Sequence, residues 1–326
     1  MIFLSKRAEV CPSFFYSRIH FMKHAAVSAL TVLSLLAFSP SQSQNAGAVT
    51  TVSTVAATKG AHTVETIALP GRVKLEYVEQ GNAKGVPVIF LHGLTDSWHS
   101  FENVLPLLPA NIHAFAISQR GHGDSERPAD GFLPKDFADD VAAFITEKKL
   151  GRVIIVGHSM GGFNAQQFAV LHPKLTKGLV IIDSDPSFTD NPGMPEFHQQ
   201  VMELSGPMDK KFMDEFQKAT LAKPIDPVYY ETVVAEGMKV PVRVFQAALT
   251  GMMGADLTKE IRKIKVPTLV FWGDQDSFCL RKDQDEILSN IKGSRLIVYK
   301  GTGHALHWEQ PEKFSKDFVS FVNNVK

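Results

Sequence analysis

The stretch Arg152-Val153-Ile154-Ile155-Val156-Gly157-His158-Ser159-Met160-Gly161-Gly162 changes character twice within a few residues. Arg152 to Val156 is a short apolar, β-branched run of the kind that forms a strand buried on both faces. Gly162 to Leu171 places its apolar residues at helical spacing. Between them, Gly157-His158-Ser159-Met160-Gly161 has the form G-x-S-x-G. A strand before it and a helix after it predict a sharp turn that strains the backbone at Ser159 and pushes its hydroxyl out of the sheet. Residues two positions away on either side must then be small, so that helix and strand can approach. Gly157 and Gly161 meet that need, and Gly162 extends it. The first turn of the helix would also favour negative charge developing beside Ser159. Alone, the pentapeptide is equally a plain tight turn; this setting makes Ser159 a candidate nucleophile.

On either side, Arg72 to Glu79 alternates as a strand does, and short apolar or β-branched runs recur at Val86 to His92, Ile112 to Ile117, Leu179 to Ile182, Thr268 to Trp272 and Arg295 to Tyr299. Helical periods lie between several of them, as at Phe137 to Lys149, and a last one runs from Glu312 to Val325. Apolar strands alternating with amphipathic helices predict an α/β fold, with a mostly parallel sheet covered on both faces. The alternation stops after Asp183. Residues 185–265 keep a helical period, lack buried-strand runs, and hold Met194, Met202, Met208, Met213, Met238, Met252 and Met253 among several Phe residues. This segment is expected to be a helical cap between two strands of the core, which takes residues 66–184 and 266–326. A Met- and Phe-rich layer is commonly just a core, but over a site it makes a soft apolar roof.

His92-Gly93-Leu94 ends the strand that begins at Val86. The chain must turn there and present a backbone N–H, so Leu94 and Met160 are the expected donors to a tetrahedral oxyanion. His92, Trp98, Phe188 and Met194 are candidate substrate-pocket residues. The sequence now carries His92-Gly93, Arg120-Gly121-His122-Gly123-Asp124-Ser125, Gly157-His158-Ser159-Met160-Gly161, Trp272-Gly273-Asp274-Gln275-Asp276 and Gly303-His304-Ala305-Leu306-His307-Trp308 in that order. In this it resembles the α/β-hydrolase superfamily over roughly residues 70 to 326, most weakly in the cap. One departure is visible: the superfamily often has Asp two residues before the Arg of the R-G-x-G-x-S turn, and Ser118 stands there.

The resemblance implies an acid just past the strand ending at Trp272, where the pattern G-x-x-D selects Asp276 over Asp274. Asp183 and Asp185, after the preceding strand, are the competing positions. The base is expected in the loop after the last strand, at His304, with His307 as near competitor. The order Ser159, Asp276, His304 agrees with the order of the superfamily.

Composition bounds the partners. Lys+Arg and Asp+Glu balance at 34 each, and no basic run with interleaved aromatics appears, so nucleic acid is not an expected partner. No G-x-G-x-x-G follows a strand, no P-loop is present, and the remaining His residues lack metal-ligand spacing, so neither a cofactor nor a metal is expected. Lys23 and His24 precede the apolar run Ala25 to Phe38, and Ala46-Gly47-Ala48 offers small residues for cleavage. Residues 1–48 therefore read as a secretory signal, with Met22 a possible true start and 49–65 a linker. The run is too short to span a bilayer comfortably, and no stable membrane insertion is expected after processing. Of the 2 Cys residues, Cys11 precedes the predicted cleavage, leaving Cys279 as an inert thiol in a secreted or periplasmic protein.

A Ser rather than an Asp at the elbow points to acyl transfer to water, with a small-molecule carboxylic ester or lactone as substrate. A C–C hydrolase or peptidase using the same three residues, or a cofactor-free perhydrolase, is the alternative, since fold does not separate them. A non-catalytic binding protein of the same fold is disfavoured while all three residue types are in place.

Overall fold

The structure, a computed structural model, describes residues 62–188 and 190–325. The expected signal, its cleavage site, Cys11 and most of the expected linker lie outside the described residues.

The central sheet has 8 strands in the order β1-β2-β4-β3-β5-β6-β7-β8. They are β1 (Val64–Ala68), β2 (Lys74–Gln80), β3 (Val86–Leu91), β4 (Ile112–Ser118), β5 (Val153–His158), β6 (Thr176–Ile182), β7 (Thr268–Gly273) and β8 (Arg295–Tyr299). β1 pairs with β2, and β2 with β4, in antiparallel fashion. All other pairings are parallel. Every residue of β4, β5 and β7 is buried, which is why these strands read as unbroken apolar runs. β1 is the opposite case: an edge strand, exposed along most of its length, beginning at Val64 inside the stretch read as linker.

Side-chain alternation divides the core between the two faces of the sheet. Ile89, Leu91, Phe115, Ile117 and Ile155 pack with Phe137 and Phe144 of α1 (Pro134–Glu147) and Phe163 and Phe168 of α2 (Met160–Leu171). Val88, Phe90, Ala114, Ala116, Ile154 and Val156 face the other way, onto Phe314 and Phe318 of the C-terminal helix (Pro311–Asn324).

Among the described residues between β6 and β7 lie four α-helices, α3 (Met194–Met202), α4 (Lys210–Ala219), α5 (Pro227–Lys239) and α6 (Val242–Met253), and a short 3-10 helix (Glu260–Lys263). α7 (Arg281–Asn290) joins β7 to β8, and the short α8 (Leu306–Glu309) precedes the C-terminal helix, α9. Among the described residues no helix is long and apolar enough to cross a membrane.

β3 lies between β4 and β5, so the chain winds away from β3 in both directions. In an open parallel sheet, such a switch point leaves a crevice beyond the carboxyl ends of the strands. Leu94 follows β3 and Ser159 follows β5, at the mouth of that crevice.

Candidate active site

Ser159 is the junction between β5 and α2, and its φ of 52° and ψ of −119° are far from any conformation an L-residue prefers. The surrounding glycines permit this. A Cβ on Gly157 would strike the Gly161 carbonyl, and one on Gly161 would strike the Leu91 carbonyl of β3. A Cβ on Gly162 would meet the Ser184 side chain at 2.5 Å. Ser184 in turn donates its hydroxyl to the Ser159 carbonyl at 2.8 Å, tying the elbow to the end of β6.

His304, in the loop after β8, and Asp276, in the loop after β7, are both buried. Nδ1 of His304 lies 2.9 Å from Oδ2 of Asp276. The other carboxylate oxygen, Oδ1, accepts the backbone N–H groups of Phe278 at 2.8 Å and Cys279 at 3.1 Å. Two backbone amides and the imidazole thus converge on the one carboxylate and fix its orientation. A Nδ1–H donated to that carboxylate leaves Nε2 of His304 as the ring's lone-pair nitrogen.

The competing residues sit elsewhere. Asp183, at the end of β6, accepts the Gly273 N–H through Oδ1 at 2.8 Å. Burial, with the Asp276 charge as the next cause, raises its pKa well above the usual carboxylate range. Asp185 is also raised well above that range, again chiefly by burial. Both carboxyls lie close enough to Asp276 for its charge to add to that rise. His307 is fully buried, with Nε2 3.1 Å from the Ser100 hydroxyl and its ring stacked on Phe101. Burial brings its pKa down to about 3, so it packs as a neutral ring.

Ser159 and His304 line one cleft of about 480 Å³, open solvent included, together with Leu94, Phe188 and Met194. Phe197, Phe216, Met252, Phe278 and Trp308 complete an apolar lining. Among these, Met194, Phe197, Phe216 and Met252 come from α3, α4 and α6. Met160 is the first residue of α2, where backbone N–H groups have no partner within the helix.

Two expected pocket residues do not line the cleft. His92 is wholly buried: its Nδ1 pairs with the Gly93 carbonyl at 2.7 Å, and its Nε2 accepts the Gln119 N–H at 2.9 Å. Both ring nitrogens are thereby spent on bracing the turn after β3. Trp98 stacks on His99 at a centroid distance of 3.8 Å and belongs to the core beneath. Conversely, Asp96, Gln217 and Phe278 line the cleft without having been anticipated. Gln217 lies deep in a strongly charged helix, and no local pattern marks it.

The departure at Ser118 is absorbed structurally. Its hydroxyl donates to Glu76 at 2.7 Å and accepts the Trp98 N–H at 3.1 Å, while Arg120 grips Asp140 at 2.6 and 2.7 Å.

Asp276, Cys279 and His304 bring ligand-type atoms within 4.8 Å of one another. Their donor capacity is largely taken, however, because Asp276 is engaged by His304 and two amides. The Cys279 thiol donates to the Asp183 carbonyl at 3.2 Å, and burial pushes its pKa well above the usual thiol value. A thiol held protonated is a poor metal ligand.

A sequence model of the Alpha/beta hydrolase family matches residues 88–317. The AB hydrolase superfamily protein YisY of Bacillus subtilis is 29% identical over 250 residues, covering 74% of this chain and 92% of that protein. The 2-(acetamidomethylene)succinate hydrolase of Mesorhizobium japonicum is 37% identical over 116 residues, which is 36% of this chain and 41% of the relative. Among solved structures, an esterase from Exiguobacterium antarcticum superposes with a TM-score of 0.72 at 24% identity, covering 79% of this chain and 99% of the esterase.

Proposed function

Given that the chain belongs to the α/β hydrolase family, we propose that it is a serine hydrolase cleaving a carboxylic ester or lactone through Ser159, His304 and Asp276. The observation that carries this reading is the cleft shared by a strained, positive-φ serine and a histidine whose Nδ1 faces a carboxylate at 2.9 Å.

The chemistry follows from that arrangement. Ser159 Oγ attacks the carbonyl carbon as Nε2 of His304 takes the hydroxyl proton, and Asp276 stabilises the imidazolium without accepting its proton. The carbonyl oxygen becomes an oxyanion, held by the N–H groups of Leu94 and Met160 at the ends of β3 and β5. Collapse breaks the bond to the leaving oxygen, which receives the proton from His304, and leaves an acyl group on Ser159. Water then attacks the acyl carbon as His304 takes its proton. The second collapse returns that proton to Ser159 and frees the acid. A lactone follows the same course, with the leaving hydroxyl still tethered to the acid. The Phe and Met lining favours apolar groups around the carbonyl.

The test is turnover of p-nitrophenyl esters of rising acyl length beside a panel of lactones. Hydrolysis that disappears in Ser159→Ala supports the proposal. If wild-type protein cleaves none of them although Ser159 takes a fluorophosphonate label, the bond cleaved is of another kind, C–C or peptide.

A further inference from the structure

One polar feature of the cleft has no part in the chemistry above. His158, between Gly157 and Ser159, is 2% exposed, and its Nε2 lies 2.8 Å from the His304 carbonyl oxygen. A carbonyl can only accept, so Nε2 carries the ring proton and Nδ1 is left as a bare acceptor. Burial, with His307 and His304 as further causes, keeps the ring neutral by lowering its pKa well below the usual value. Nδ1 is buried and has no hydrogen-bond partner among the described residues. A buried, unsatisfied polar atom of this kind is destabilising unless something supplies the missing bond.

The side chain facing it is another acceptor. Oδ2 of Asp96, itself 2% exposed, stands 3.9 Å from His158 Nδ1, too far for a direct hydrogen bond. Its sister oxygen, Oδ1, accepts from Gln217 at 3.2 Å. Burial raises the Asp96 carboxyl to about 7, so near neutrality it is present in both its protonated and its ionised form. Gly93 borders them both: a Cβ there would crowd His158 Nδ1 at 3.0 Å and Asp96 Oδ2 at 3.1 Å, so any side chain at this position would close the gap. Both residues and Gly93 line the same cleft as Ser159 and His304.

We propose that Asp96 and His158 form a subsite that receives a hydroxyl of the substrate, one or two carbons from the scissile carbonyl. Gly93 immediately precedes Leu94, whose N–H is the proposed oxyanion donor, so a group seated beside Gly93 is adjacent to the carbonyl oxygen. A hydroxyl there donates its one proton to His158 Nδ1 or to Asp96 Oδ2, and its oxygen accepts from Asp96 when that carboxyl is protonated. The substrate class is therefore an ester of a 2- or 3-hydroxy acid with an otherwise apolar chain. This inference rests on the ester-hydrolase reading.

The experiment compares p-nitrophenyl butyrate with its 2-hydroxy and 3-hydroxy counterparts, in wild type, Asp96→Ala and Asp96→Asn, each checked for folding by fluorophosphonate labelling of Ser159. At least one hydroxy ester should exceed butyrate about tenfold in kcat/KM, a ratio typical of one well-placed hydrogen bond. That ratio should fall toward one in both variants; the near-isosteric Asn decides if the Ala variant does not fold. Hydrolysis of all three esters at equal kcat/KM by wild type, or a preference unchanged in the variants, overturns the subsite and leaves the serine-hydrolase reading standing. Cleavage of none of them by wild type overturns the ester reading, and the subsite with it.

Discussion

Nδ1 of His304 faces Oδ2 of Asp276 at 2.9 Å across the ends of two neighbouring strands, β7 and β8. The pairing sets which ring nitrogen is free, and the amides of Phe278 and Cys279 fix the carboxylate that does the setting. Asp276→Asn should therefore leave the fold intact and lower kcat by about 10³–10⁴-fold, because an amide donating to Nδ1 would force the proton onto Nε2. Steady-state kinetics on the best ester checks this. A loss under tenfold would mean that another carboxyl, Asp183 foremost, orients the ring.

The elbow makes a structural prediction. Gly157→Ala inserts a Cβ against the Gly161 carbonyl, where strand and helix touch backbone to backbone. Such overpacking costs about 2 kcal/mol or more, roughly 4–8 °C in Tm for a domain of this size. Thermal melts of the two proteins measure it, and an unchanged Tm would show that the turn has slack.

Buried neutral histidines give a pH dependence of known sign. Burial lowers His307 to about 3 and His122 to about 4, while the unfolded chain titrates near the ordinary value of about 6.5. Between those limits the unfolded state binds more protons, so these groups contribute stability above pH ~6.5 that drains away as the pH falls toward 3–4. Asp96, Asp183 and Asp185 work in the opposite direction, since the fold favours their protonated forms. The separating measurement is the Tm difference between pH 7.5 and pH 5 in wild type and His307→Gln. The variant should lose less on acidification; an identical slope would assign the acid sensitivity to other groups.

Export is a fourth expectation, carried by the Ala25 to Phe38 run and the Ala46-Gly47-Ala48 site. N-terminal sequencing of protein recovered outside the cytoplasm should begin near Val49. Recovery of an intact Met1 or Met22 start would contradict it.

Legibility in the sequence followed burial. Strands covered on both faces, such as β5 and β7, read as continuous runs and fall where expected because burial there selects mainly apolar residues. β1 gave no such run: it is an exposed edge whose partner on one side only is β2. α7 is rich in charge and buries little beyond Asp283, Gln284 and Ile287, so its apolar period is faint. At the site, Ser159 was legible because a strained elbow needs glycines at fixed offsets, a local constraint. Asp96 and Gln217 were not, because they meet only through tertiary folding, Gln217 Nε2 reaching Asp96 across the cleft. His92 was misplaced for the same reason: the sequence fixes its position at a strand end but not that Gln119 and Gly93 consume its ring nitrogens.

The proposed chemistry requires Ser159 to be an activated nucleophile. Labelling with a fluorophosphonate, followed by mass mapping of the modified peptide, addresses it most directly. Stoichiometric modification of Ser159 is expected in wild type, slowed by orders of magnitude in His304→Ala and absent in Ser159→Ala. No labelling of wild type, or labelling that persists in Ser159→Ala, would contradict it.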